Sequence, residues 1–351
     1  MINPYRGRPT RAFWKAAVAQ RHLADIDELW APMALTPADR IATAGSCFAQ
    51  HIGQALARRG AHFLDCEPPP PIFADTEEAR RFGYRVFSCR YGNVYTARQM
   101  RQLAEEALGL RAPCETVWER EGRFYDALRP GVDPVGQASV QALRHARRLH
   151  LAAVRTMLET LDVMVFTLGL TECWEDLADG TVYPVAPGTL AGSFDPQAHA
   201  FRNLRHGEVL ADMEAFWALL RQVNPGARML LTVSPVPLMA TATRAPDHTG
   251  GHVLPATIYS KSVLRAVAGD LADAHADIAY FPSYEIITGH PTRGMFFNPD
   301  LRTVNAMGVD LVMRHFFSGP LEQAFAAHAP GTDPAPEGEA ICEEGRITET
   351  L

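Results

Sequence analysis

Ile41-Ala-Thr-Ala-Gly45-Ser46-Cys47-Phe48-Ala49-Gln-His-Ile52-Gly-Gln-Ala-Leu56-Ala-Arg-Arg-Gly60 is the stretch that decides the fold. A short apolar run, Ile41–Ala44, ends at Gly45-Ser46. Behind it Phe48, Ile52 and Leu56 recur every four residues and so share one face of a helix over Cys47–Arg59. Gly60 stands where helices commonly stop, because glycine enters the left-handed region at little cost. Ala61-His-Phe-Leu-Asp65 then reads as a second strand, closed by Pro68–Pro71. Strand, helix and strand in that order make parallel neighbours.

The same alternation recurs downstream. Val140, Leu143, Arg147, Leu151, Val154, Leu158 and Leu161 trace one long helical stripe ahead of the strand Val163–Leu168. An amphipathic helix over Val209–Val223, closed by Asn224-Pro225-Gly226, precedes a strand at Met229–Val233. A helix over Thr257–His275 precedes the strand Ile278–Phe281, and a last helix over Asn305–Phe317 completes the core. Five strands alternating with helices predict an α/β fold. It is a doubly wound, flavodoxin-like parallel sheet of five strands in a three-layer α/β/α sandwich. Segments 67–138 and 173–207 are too long for plain connections and read as inserted cap segments. Residues 1–35 are expected to be an N-terminal arm packed on the core, 36–320 a single domain, and 329–351, rich in Pro, Gly and Glu, a flexible tail.

Composition narrows the function classes. The chain has 351 residues, 47% of them hydrophobic, which is enough to fill a large core. A net charge of −7 gives no electrostatic case for nucleic acid, whose binding rests on clustered Lys and Arg. Of 33 basic residues only Lys15 and Lys261 are lysines, a bias a GC-rich genome explains. Against that background Lys261 stands out. The first residues lack the features of a signal peptide, and the most apolar runs are far short of the ~20 residues that cross a bilayer. A cytoplasmic protein with no membrane partner is expected. The six cysteines are scattered with no Cys-x-x-Cys pair, so free thiols are expected, with no metal and no cofactor.

Ligands of such sheets bind beyond the carboxyl ends of the strands. There stand Gly45-Ser46, Gly169-Leu-Thr-Glu172, Ser234-Pro-Val-Pro237 and Pro282-Ser-Tyr-Glu285. Ser46 is the leading candidate. Its hydroxyl would lie at a helix N-terminus, where free N–H groups favour developing negative charge. A serine there can act as nucleophile while its own N–H helps to hold an oxyanion. It can equally be an N-cap, a place serine fills without any chemistry. Cys47 is a rival nucleophile, but the next residue on a helix points about 100° away and packs inward. The surrounding residues are not the Gly-x-Ser-x-Gly elbow of α/β-hydrolases.

Gly45-Ser46-Cys47-Phe48-Ala49 resembles the signature of the GSCFA family, which is similar to a branch of the SGNH/GDSL hydrolase superfamily. Asn3-Pro-Tyr-Arg6, Phe13-Trp14, Tyr91–Arg98, Thr167–Glu172 and Tyr280–Ile286 carry the resemblance through nearly the whole chain. It implies an SGNH-type fold and a serine nucleophile, matched by Ser46. It also implies oxyanion donors from a glycine N–H in a second block, where Gly92 or Asn93 stands, and from an Asn in a third. Here the third block reads Gly169-Leu170-Thr171-Glu172 instead of Gly-x-Asn-Asp, and Thr171 can donate through its hydroxyl. The superfamily's last block, Asp-x-x-His, falls on Asp300-Leu-Arg-Thr303, which puts threonine where the base should be.

Two histidines can stand in. His252, in Gly250-Gly-His-Val-Leu254 ahead of Tyr259-Ser-Lys261, is similar in setting to the family pattern; His290, beyond the fifth strand, is the alternative. Glu285 or Asp300 would orient the imidazole, Glu172 would do the same or bind substrate, and Lys261 would bind a substrate carboxylate or phosphate. Trp118, Phe124, Tyr125, Trp174 and Tyr183 fall in the inserted segments, where they stack on a sugar ring or pack the cap. The expected function is a serine-dependent acyl-ester hydrolase or O-acyltransferase acting on a small polar or carbohydrate ester. The alternative is a non-catalytic binding or accessory protein that retains the fold.

Overall fold

In the computed structural model, which describes residues 3–73, 76–244 and 250–326, strand β1 (Ile41–Gly45) leads into helix α1 (Ala49–Arg58). The first insertion holds α2 (Thr76–Arg81), α3 (Ala97–Ala107) and a hairpin of β2 (Val117–Arg120) and β3 (Arg123–Asp126). Helix α4 (Val140–Thr160) delivers β4 (Val163–Leu168). The second insertion is an antiparallel ribbon of β5 (Glu172–Asp176), β6 (Val182–Tyr183) and β7 (His199–Asn203). The chain continues through α5 (His206–Val223), β8 (Arg228–Val233), α6 (Val253–Ala274), β9 (Ile278–Phe281), α7 (Ser283–Thr288), α8 (Ala306–Phe316) and α9 (Pro320–Ala326).

Strands β1, β4, β8 and β9 form one parallel sheet in that order. The sheet therefore has four strands, not the five expected. Residues 61–65 meet β1 through a single bridge, Ile41 to Phe63, with Ile41 N–H donating to His62 O and Leu64 N–H to Ile41 O. The chain then leaves the sheet, since Cys66 N–H donates to Ser88 O and four prolines follow, which cannot supply ladder donors. β1 is thus flanked by residue 63 on one side and β4 on the other.

Period-two alternation sorts the strands' side chains. Ala42, Ala44, Met164, Phe166, Met229 and Leu231 face a core completed by α4, α5 and α6 through Val154, Met157, Phe216 and Leu264. Ile41, Val163, Val165 and Leu230 face the opposite core, built by Ile52 and Leu56 of α1 and by Val312 and Phe316 of α8. Helices on both faces make three layers. Helix α6 begins at Val253, four residues ahead of the expected Thr257. His252 is its N-cap, and Pro255 sits in the first turn, where the missing N–H costs no helical bond.

The insertions pack on each other. Trp118, Tyr125, Tyr183, Val185 and Leu190 form a small core of their own, with the Trp118 and Tyr183 rings 5.1 Å apart. Those aromatics are spent on packing. Beneath them Asp126 pairs with Arg147 (2.7 Å) and Arg129 (2.8 Å), and Arg147 also pairs with Glu106. Burial works against the Asp126 charge, but the two guanidinium groups outweigh it and hold the carboxyl well below its usual range. Within the N-terminal segment Trp30 Nε1 donates to His315 O (2.9 Å), and its ring lies 4.9 Å from Phe281. Cys47, Cys66, Cys89, Cys114 and Cys173 form no disulfide among the described residues. Cys342 and the expected tail 329–351 lie outside the described residues. No helix among the described residues is long and apolar enough to cross a membrane.

Two stability predictions follow from this packing. Gly45 has φ +136°, and a Cβ there would run into the Thr167 carbonyl and lie 2.8 Å from Thr167 N. Gly45→Ala is expected to cost at least about 2 kcal/mol in chemical unfolding; wild-type stability contradicts this close approach. His150 is buried, with Nδ1 2.8 Å from Glu67 Oε2, and burial drives its pKa from 6.5 down to about 4. The unfolded chain takes up that proton near 6.5 and the folded chain only near 4. The contribution is complete above 6.5 and lost as pH falls toward 4, about 2 kcal/mol by pH 5. Glu67, held near 2 against its burial by the His150 hydrogen bond and the Arg129 charge, acts only below 4.5. Urea unfolding at pH 7.5 and pH 5 checks the first window, and His150→Gln should remove the difference.

Candidate active site at the β1 and β4 rim

Three loops meet where β1 and β4 end. Gly45 O accepts from Val94 N–H (2.9 Å), and Ser46 N–H donates to Thr167 O (3.2 Å). Tyr95 O accepts from both Gly169 N–H (3.1 Å) and Leu170 N–H (2.8 Å). A Cβ on Gly169 would lie 3.0 Å from Ser46 Cβ and 3.0 Å from Tyr95 O, so the loop after β4 passes directly over the serine. Gly92, at φ +69°, and the buried Asn93 immediately precede Val94, whose N–H meets Gly45 O. Helix α6 then clamps the third loop with two consecutive residues. Ser260 Oγ accepts from Thr171 N–H (2.9 Å), and Lys261 Nζ donates to Gly169 O (2.7 Å). Lys261 is only 1% exposed. The cluster sits where the chain's progress across the sheet reverses, from residue 63 on one side of β1 to β4 on the other. That crevice is the usual ligand position in doubly wound sheets.

Ser46 is 3% exposed, and its hydroxyl has no hydrogen-bond partner among the described residues. It does not cap the helix, because Phe48 is the N-cap of α1 and no side chain bonds there. A buried hydroxyl left unpaired costs about 1–3 kcal/mol, so its retention calls for a role. The Thr167 hydroxyl, beside Gly45, is in the same state. Cys47 lies ahead of α1, not inside it as expected, and is buried among Phe48, Ile52 and Val165.

The expected oxyanion donors are in part already engaged. Gly169 N–H serves Tyr95 O, Thr171 N–H serves Ser260, and the Thr171 hydroxyl donates to Asn203 Oδ1 (2.7 Å). Gly169 and Thr171 therefore shape the loop, and Thr171 is not a free donor in the place of the superfamily's Asn. Of the expected set, Gly45, Ser46, Gly169, Thr171 and Lys261 are brought to one rim, and Gly92 and Asn93 stand next to Val94, which bonds Gly45.

The acid and base candidates are not joined to them. His252 is exposed, and its Nδ1 accepts from Leu254 N–H (3.1 Å), so the neutral ring carries its proton on Nε2. Its neighbour Val253 packs with Tyr95, Leu170 and Leu238, which puts the start of α6 beside the rim. Glu285, expected to orient His252, instead pairs with Arg265 and accepts from Tyr280 OH (2.7 Å). His290 stands edge-on to Trp14, 6.2 Å between centroids, and lines a separate apolar cavity of 280 Å³ with Glu285 and Leu23. Asp300 closes a turn on itself, accepting from Arg302 N–H, Thr303 N–H and the Thr303 hydroxyl (2.8 Å). Threonine at 303 is thus a partner of Asp300 within an exposed turn.

Glu172 opens β5. Its carboxylate accepts from the Thr241 hydroxyl (2.8 Å), and burial pushes its pKa up against that bond. Tyr95, Asn203, Thr241 and Ser260 were not singled out in the sequence. Tyr95 acts through its carbonyl, which any residue has, and the other three act through partners far away in the chain.

Among the described residues two groupings bring metal-ligating side chains together, Cys114 with Asp176 and Asp179, and Glu115 with Asp176 and His199. In the second, His199 Nδ1 accepts from Asp195 N–H (3.1 Å), so its Nε2 bears the proton and points it at Glu115. A ring in that tautomer has no lone pair for a cation. Tyr183 OH lies 3.2 Å from Glu115 and 3.1 Å from Asp176, so the carboxylates are held by hydrogen bonds where the two insertions meet.

A comparison with curated proteins finds no match to the chain. The sequence profile of the GSCFA family matches residues 40–316, a span that holds Ser46, Asn93, Gly169 and Lys261 with all four strands of the parallel sheet. The chain therefore belongs to the GSCFA family.

Proposed function

We propose that this protein is a serine-dependent acyl-ester hydrolase or O-acyltransferase with an SGNH-like site, built on one domain over residues 36–320. One observation supports it above the rest: a buried serine hydroxyl at the switch point of the sheet neither caps its helix nor finds another partner. In the proposed reaction Ser46 Oγ attacks the acyl carbonyl of a small polar or carbohydrate ester. The ester C–O bond breaks, the alcohol leaves with the proton that Ser46 gave up, and an acyl-serine remains. Water or a second alcohol then attacks that acyl-serine, and its proton returns to Ser46 Oγ. The Asn93 amide and the Gly92 backbone are the proposed oxyanion donors. His252 is the proposed base; to act through Nε2 it must first release the Leu254 amide, so that the ring proton moves to Nδ1. Lys261 keeps Gly169 against the serine. The reaction as proposed runs in the cytoplasm without metal or cofactor.

A second reading is favoured by a different observation. Glu285 and Asp300 are engaged elsewhere, and among the described residues no histidine hydrogen-bonds the Ser46 hydroxyl. A binding or accessory protein would keep the rim and dispense with the base.

Turnover of p-nitrophenyl acetate and covalent labelling by a fluorophosphonate separate the two. The hydrolase reading expects both in the wild type, and expects Ser46→Ala to abolish labelling and lower kcat by at least about a thousandfold. Equal inertness of wild type and Ser46→Ala favours the binding protein. His252→Gln should lower kcat by about 10²–10⁴. An unchanged kcat would reassign the base.

A further inference from the structure

Beyond Leu170, the chain that passes over Ser46 becomes the wall of a second feature, a cavity of 180 Å³ lined from Leu170 onward. One wall is the β5–β7 ribbon. In its register Trp174 faces Phe201 and Glu172 faces Asn203, and residues two apart share a face, so Glu172, Trp174 and Phe201 present one surface. The ribbon's other face carries Glu175 and Arg202 into ion pairs with Arg98 and Glu208, which fixes the ribbon to α3 and α5. The opposite wall is the loop after β8, with Leu238 and Thr241. The Trp174 ring is held edge-on to Phe194 (5.2 Å) and Phe201 (5.7 Å), so its orientation is set before any ligand arrives.

We propose that this cavity is a pyranose subsite, in which a sugar ring lies against Trp174 and directs its hydroxyl groups at Glu172 and the Thr241 hydroxyl. A cavity of 180 Å³ has room for a sugar ring. The chemistry fits better than it would for an acyl chain. A pyranose offers a C–H face to an aromatic ring and hydroxyl groups at its edge, and this cavity has aromatic and aliphatic walls interrupted by the carboxyl group of Glu172 and the threonines Thr189 and Thr241. An acyl chain would leave Glu172 facing hydrocarbon, an arrangement burial already penalises. Glu172 is three residues on from Gly169, at most about 10 Å of extended chain, so a ring in the cavity and an ester carbonyl at Ser46 belong to one substrate of monosaccharide size. That last step, the sugar as carrier of the ester, rests on the hydrolase reading; the binding itself does not.

The test uses the full chain carrying Ser46→Ala, titrated with methyl β-D-glucopyranoside, methyl β-D-galactopyranoside, methyl α-D-mannopyranoside and sodium butyrate. Intrinsic tryptophan fluorescence and saturation-transfer NMR are the readouts. At least one pyranoside should bind in the millimolar range or tighter and shift the tryptophan emission. Glu172→Gln, which is isosteric, should weaken that binding by about tenfold. Trp174→Phe should remove the emission change while circular dichroism stays that of the parent. Binding of butyrate alone, or of no probe at all, overturns the proposal, as does a pyranoside whose affinity ignores both substitutions. If a pyranoside binds through Glu172 and Trp174 while wild-type Ser46 never takes the fluorophosphonate, the subsite stands and the hydrolase reading falls.

Discussion

The rim exists because β1 and β4 meet at Gly45 and Thr167 with no side chain between them. Gly45 adopts a backbone angle that other residues rarely reach, and the space where its Cβ would stand is filled by the Thr167 main chain. Because of that contact Ser46 N–H lands on Thr167 O, and the chain turns out of the sheet at the serine. Gly169 repeats the device one strand over, letting the loop after β4 close on Ser46 and Tyr95. Two glycines thus bring a strand end, a loop from the first insertion and a loop leading into the second to one point. Helix α6 fastens the arrangement through Ser260 and Lys261.

Charge placement reinforces this division of labour. The buried pairs of Asp126 and Glu106 with Arg147 and of Asp126 with Arg129 lie under the first insertion, away from the serine, and satisfy one another. They fix where the cap sits at a cost in desolvation that well-packed apolar residues would not incur. At the rim itself the groups are mostly neutral: a serine, a threonine, an asparagine and glycines. Lys261 is the exception, and its ammonium is turned to a backbone carbonyl. A nucleophile there would be shaped by backbone geometry and burial more than by a surrounding field.

Much of this was legible in the sequence because local periodicity carries it. The apolar run 41–44, the four-residue repeat of Phe48, Ile52 and Leu56, and the stripe ahead of Val163 describe the layers that the structure shows. The strand at 61–65 was overread, since apolar residues before a proline run look alike whether they pair along their length or only at Phe63. The glycine-serine turn and the Gly169 loop were identified from position alone. The supporting partners were not, because Tyr95, Asn203, Thr241 and Ser260 are made relevant by contacts that span dozens of residues. The base is the clearest lesson. His252 was put forward as base from its setting, yet a histidine ahead of Val-Leu-Pro also serves as a helix cap, and the structure puts its Nδ1 to that use. Glu285 followed a strand as an orienting carboxylate would, but Arg265 and Tyr280 lie closer to it than any histidine role requires.

The central claim is that the Ser46 hydroxyl forms a covalent acyl intermediate. Rapid acid quench of the wild-type protein with p-nitrophenyl acetate, followed by peptide mass spectrometry, tests it most directly. The account predicts one acetyl group on the peptide holding Ser46, localised to that serine by fragmentation. An unmodified Ser46 under conditions where p-nitrophenol is released, or an acetyl group on Cys47 instead, would contradict it.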